Sequence, residues 1–149
     1  MHLIAYMSQA TFLPAEREQV LNEIITTARA RNAEHTITGA LLMLCNTFVQ
    51  VLEGEHHALL ALMNRITADP RHTDVIVLID SPIERRSFPQ WSMELFVSSD
   101  AARDVAEHFT ALVAAYRREA LPQADALVAL IKMAIDHPAL LASVKSNPR

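Results

Sequence analysis

The chain has 149 residues, a net charge of −4 and a sequence pI of about 5.9, with 51% hydrophobic and 20% charged residues. That length suits one domain with a substantial core, and the acidic balance and few aromatics argue against a nucleic-acid surface. A single cysteine, Cys45, excludes an intrachain disulfide framework. The N-terminus lacks the charge-then-apolar order of a signal peptide, and no apolar run reaches spanning length, so a cytoplasmic protein without a membrane segment is expected. With only two glycines, Gly39 and Gly54, a glycine-rich phosphate cradle is absent.

Residues 2–7, HLIAYM, are predicted to form a first strand, with Ile4, Tyr6 and Ser8 on one face and Leu3, Ala5 and Met7 on the other. Both faces are mainly apolar, so this strand is expected in the interior. Pro14 suits the first position of a helix, and Glu16 and Glu18 ahead of Arg29 and Arg31 complement its dipole. Val20, Leu21, Ile24, Ile25 and Ala28 recur at helical spacing, and Asn32 is expected to cap the end. Residues 36–44 predict a second strand, joined through Cys45-Asn46 to a third, TFVQVLEG, at 47–54. So short a connection demands an antiparallel hairpin. The third strand is apolar on both sides. Phe48, Gln50 and Leu52 share one face, and Val49 and Val51 share the other.

Gly54 releases the chain into a helix over about 55–68, with Leu59, Leu60, Met63 and Ile66 on one face. Residues 74–80 and 91–97 predict two further strands, the last with Trp91, Met93 and Leu95 on a common face. The order βαββαββ gives an α+β, ferredoxin-like sheet with two helices on one face. Two C-terminal helices are expected to cover the other face. The first runs from about residue 98 to Arg118 with Val105, Phe109, Leu112, Val113 and Tyr116 inward. After a break at Leu121-Pro122, the second covers about 123–135 with Leu127, Leu130, Ile131 and Ala134 inward. Residues 139–149 read as a short helical end and a frayed tail.

Gln50 sits between two large apolar residues, and its amide needs partners for two donors and two lone pairs. In this scheme Tyr6, Asn32 and Gln50 border one space between sheet and helices. Arg71 and His72 reach its rim, and Trp91 or Met93 closes it. A phenol, two amides and a cation around an apolar slot suit a flat heterocycle with a polar edge. The plainer alternative is that Tyr6 and Gln50 bond each other in a packed core. A second is a small enzyme using the same cleft for an anionic substrate, with Asp69, Arg71 and His72 catalytic. No base–nucleophile pairing supports it. Adjacent His56 and His57 point apart on a helix and are poor joint metal ligands, and His35, His72, His108 and His137 show no ligand spacing with Cys45.

Five runs, IAYMS, ARARN followed by TITG, FVQVLEG, ADPRH and FPQWSM, occur in an order and spacing that resemble the BLUF family of blue-light sensors that use flavin. The likeness covers about residues 1–97 and is closest to the short, stand-alone type, leaving 98–149 as a helical extension. It implies a photoreceptor, not an enzyme, with FAD bound non-covalently; FMN and riboflavin share the ring and are alternatives. Tyr6 and Gln50 would carry the photochemistry. Tyr6, Ile24, Asn32, Phe48, Gln50, Leu52, Ile66, Arg71 and His72 would hold the flavin, and Trp91 and Met93 would pass the signal on. A homo-oligomer and a downstream protein partner are expected. The sequence departs from the family pattern at Thr36, where glycine is usual, at Ala28, where serine is frequent, and at Arg31, which replaces a small or polar neighbour of Asn32.

Overall fold

A computed structural model describes residues 1–118, 124–137 and 141–143. Strand β1 (His2–Ala10) is followed by a 3-10 turn at Pro14–Glu16 and helix α1 (Arg17–Glu34). The hairpin of β2 (Thr38–Leu44) and β3 (Thr47–Gly54) leads into α2 (His56–Ala68), β4 (His72–Pro82) and β5 (Glu94–Ser98). Helices α3 (Arg103–Arg118) and α4 (Ala124–Ile135) precede a short strand, β6 (Leu141–Ser143). The six strands lie in the order β4-β1-β3-β2-β5-β6. β3 runs antiparallel between β1 and β2, and β5 joins the outer side of β2 in parallel. This is the ferredoxin-like α+β arrangement, extended at the β2 edge.

The alternation along β1 and β3 divides the core in two. Ile4, Tyr6, Phe48 and Leu52 pack under α1 and α2 with Leu21, Ile25, Leu59 and Met63. Leu3, Ala5, Val49 and Val51 pack on the opposite face with Phe109 and Val113 of α3 and Leu127 and Ile131 of α4. Both faces of the sheet are thus covered, which is why these strands lack the polar alternation of a half-solvated sheet.

The buried stripe of α3 differs from the expected one. Ala102 of the preceding turn, Ala106, Phe109 and Val113 face the sheet, whereas Val105 and Leu112 are 52% and 57% exposed. Small alanines let the helix approach closely, and that rotates the two larger residues outward. The expected inward placement of Tyr116 and the break at Leu121-Pro122 fall outside the described side chains and residues, respectively. Residues 141–143 pair with β5 as a strand rather than forming a helical end, and the rest of the predicted tail lies outside the described residues.

The β4–β5 connection is anchored on a buried carboxylate. Glu53 accepts hydrogen bonds from the backbone N–H groups of Ser87 (2.6 Å) and Phe88 (3.0 Å) and from the Thr38 hydroxyl (3.4 Å). Arg86 donates to the Glu53 backbone oxygen at 2.8 Å and to Thr38 Oγ1 at 2.9 Å. The end of α1 shows why glycine is favoured at position 36: Thr36 has φ 55°, in the left-handed region. A β-branched residue there costs about 1 kcal/mol or more. Thr36→Gly is therefore expected to raise stability by roughly 0.5–1 kcal/mol, read as a higher thermal midpoint, with the side chains of the central strands untouched.

Candidate functional site

A cleft opens between the sheet and the first two helices, lined by Tyr6, Ile24, Leu41, Phe48, Gln50, Ile66, Asp69, Arg71 and His72. Its empty space, mouth included, is about 350 Å³. Ile24 projects from α1 and Ile66 from α2, so two helices supply facing apolar walls. The central strands supply the polar floor, because Tyr6 and Gln50 stand opposite each other in the β1–β3 ladder.

The Tyr6 hydroxyl donates to Gln50 Oε1, and Gln50 Nε2 lies 3.4 Å from Met93 Sδ. The phenol donates here, so the amide oxygen faces Tyr6 and the NH2 group faces the thioether, which can only accept. A thioether is a weak acceptor, so the amide is held firmly at one end and loosely at the other. Tyr6 and Gln50 are 4% and 5% exposed. Burial, and then the nearby Asp69 charge, push the Tyr6 phenol far above its ordinary range and hold it protonated.

The rim is a connected set. Arg71 binds the Asp69 carboxylate through Nε (2.9 Å) and Nη2. The hydrogen bond from Arg71 holds the Asp69 carboxyl below its usual value despite partial burial, with a further backbone bond and the charges of Arg71 and His72. Reciprocally, Asp69 raises Arg71. His72, the first residue of β4, has Nε2 against the backbone oxygen of Ile66 and Nδ1 at 2.8 Å from Ser8 Oγ. A carbonyl only accepts, so Nε2 carries a proton, while Nδ1 meets the Ser8 hydroxyl, which can serve as donor or acceptor. The ring stands edge-on to Tyr6 and Phe48, with centroids 6.2 and 6.4 Å away.

The remaining predicted residues sit around this cleft in different ways. Asn32 lies within the last turns of α1 rather than capping it, buried, with Nδ2 donating to Ser92 O at 2.8 Å. That bond uses one of its two N–H groups. Leu52 is fully buried in the cluster beneath the helices and does not line the cleft. Met93 is 1% exposed and faces Gln50. Trp91 does not share its face. It stacks on Phe88 at 5.5 Å and packs against Phe96 in the opposite core. The reason is that β5 begins only at Glu94, so strand alternation does not reach back to Trp91. Leu41 lines the cleft and was not singled out from sequence, while Ser8, expected only to share the face of Tyr6, holds His72 at its edge. Leu41 is signalled by its register opposite Gln50, which follows once the hairpin is drawn, whereas the Ser8–His72 contact required the β1–β4 pairing.

The residues present fit a planar heterocycle with a polar edge: facing isoleucines for its two faces, an amide and phenol at one edge, and a cation at the mouth. A family model described as "BLUF: Sensors of blue-light using FAD" matches residues 1–94. The photoactivated adenylate cyclase subunit beta of Euglena longa is 40% identical over 119 residues, 73% of this chain but only 14% of that protein's length. The fold also matches BlsA in its photo-activated state, with TM-score 0.70 and 26% identity over 98% of this chain and 100% of that one. BlrB in its dark state matches with TM-score 0.63 and 32% identity over 72% of this chain and 82% of that one. No helix among the described residues is long and apolar enough to cross a membrane. The chain belongs to the BLUF family, sensors of blue light whose cofactor is the flavin FAD.

Proposed function

We propose that the protein is a blue-light photoreceptor in which Tyr6 donates an electron and a proton and Gln50 records the event by rearranging its amide. The observation that carries this reading is the buried Tyr6–Gln50–Met93 chain at the floor of the cleft. Ile24, Phe48 and Ile66 would grip the ring. Gln50 would meet its polar edge, Asn32 would offer its second N–H, and Arg71 and His72 would serve the mouth. Bound flavin supplies blue-light absorption and, once excited, a strong one-electron oxidant.

Oxidation of a buried phenol releases its proton, and the Tyr6 hydroxyl already points at Gln50 Oε1. Return of the electron and proton leaves the amide turned or tautomerised. Turning it exchanges an acceptor for a donor inside a low-dielectric pocket, where such a swap carries weight. Met93 meets the changed amide end, and its neighbours Ser92 and Trp91 connect it to α1 and to the opposite core. Residues 98–149 would then act as the output extension, and a change at that face would alter a protein–protein contact. The rim residues support a sensor over a catalyst, since Arg71 is bound to Asp69 and both ring nitrogens of His72 are engaged.

The purified protein is expected to be yellow and to show a flavin spectrum that shifts slightly to the red under blue light and reverts in the dark. A protein that is colourless, and stays so when offered FAD, FMN or riboflavin, overturns this reading.

A further inference from the structure

The start of β1, the first turn of α2 and the end of β4 converge at one corner of the sheet. His2 lies on the helix-facing side of β1, two residues before Ile4, and Ile4 pairs with Asp80 of β4. His56 opens α2. The two imidazoles stack with centroids 3.8 Å apart and planes 14° apart. His56 Nε2 lies 3.2 Å from Asp80 Oδ1 and 3.4 Å from Oδ2. One donor atom from each of the three residues lies within 4.8 Å of the other two. Tyr6 is four residues along β1, about 13 Å away at strand rise, so this corner is separate from the flavin cleft.

We propose that His2, His56 and Asp80 form a binding site for a divalent transition-metal ion of the zinc type. Two imidazole nitrogens and a carboxylate oxygen are a zinc donor set, and a fourth position would fall to water. At zinc bond lengths of about 2.0–2.2 Å, tetrahedral donors lie about 3.4 Å from one another. The His56–Asp80 separation already matches this, and the partly exposed His2 and His56 rings would turn out of their stacked arrangement to bring both lone pairs onto the ion. The ion would tie together three elements that the chain brings to one corner from distant positions. An exposed histidine–carboxylate pair alone adds little to stability, so the convergence is not accounted for as a structural ion pair. His57, on the next position of α2, points away from the cluster and serves as an internal control.

The test uses untagged, chelator-treated full chain titrated with Zn²⁺ by calorimetry, with thermal melts in parallel. The expected result is one ion per chain and a raised melting temperature. His56→Ala and Asp80→Asn should each weaken binding at least tenfold, while His57→Ala leaves it unchanged. Co²⁺ gives a direct readout, since tetrahedral nitrogen–oxygen coordination produces intense visible bands that His56→Ala should remove. An isotherm unchanged in His56→Ala, or absence of binding by the wild type, overturns the proposal. Neither readout involves light or flavin, so its failure and a failure of the photoreceptor reading are separable.

Discussion

Gln50→Leu is expected to abolish the proposed light-induced red shift while leaving flavin bound. Leucine keeps the volume and the apolar contacts with the cleft but removes every donor and acceptor that the amide presents to Tyr6 and Met93. Tyr6 then loses its acceptor, at a cost of about 1–3 kcal/mol for a buried, unpaired polar group, which a protein of ordinary stability survives. Tyr6→Phe should give the converse result: the amide persists without a proton donor, and the shift is again expected to be lost. Absorption difference spectra before and after blue illumination check both variants, with the unilluminated flavin spectrum confirming occupancy. A full-size red shift in Gln50→Leu rules out the amide as the recording element.

Gly39→Ala is expected to destabilise the fold by roughly 3–5 kcal/mol, a large share of the 5–15 kcal/mol that holds a typical domain together. A Cβ at this position would sit 1.9 Å from the backbone oxygen of Val51 and 2.9 Å from its carbonyl carbon. Val51 belongs to the central strand, where neither β1 nor β2 can move without breaking the ladder. Gly39 N–H also donates to Trp91 O at 2.9 Å, so displacing β2 disturbs the approach to β5. Gly54→Ala makes the contrast, because its Cβ would meet the Ile37 side chain at 3.3 Å, and that side chain can shift. Urea denaturation of the two variants should show a much lower midpoint for Gly39→Ala and a small change for Gly54→Ala.

The central strands were legible because their apolar runs are continuous and period two fixes which residues share a face. The placement of Tyr6 with Phe48, Gln50 and Leu52 under α1 and α2 follows from that alone. Side-chain reach was not legible: Leu52 has the right face but is not among the residues that line the cleft, and Asn32 spends one N–H on the Ser92 carbonyl. Trp91 was assigned by extending strand periodicity across residues that are not yet strand. The orientation of α3 was misread because hydrophobicity ranks Val105 and Leu112 above Ala106, whereas close packing on a sheet favours the smaller residue. The His2–His56–Asp80 corner has no linear signature at all, since its members come from three separate elements.

The three consecutive carbonyls of residues 91–93 are each held by a different donor: Gly39 N–H on Trp91, Asn32 Nδ2 on Ser92 and Arg29 Nε on Met93, at 2.9, 2.8 and 2.9 Å. Swapping Trp91 for Met93 beside the glutamine would require this stretch to slip along its neighbours and surrender all three bonds, about 1.5–4.5 kcal/mol in total. A rotamer change at the Met93 thioether surrenders none of them. The backbone here therefore acts as a fixed rail, and under the proposed photochemistry the cheap coordinate would be the swing of one flexible side chain beside it.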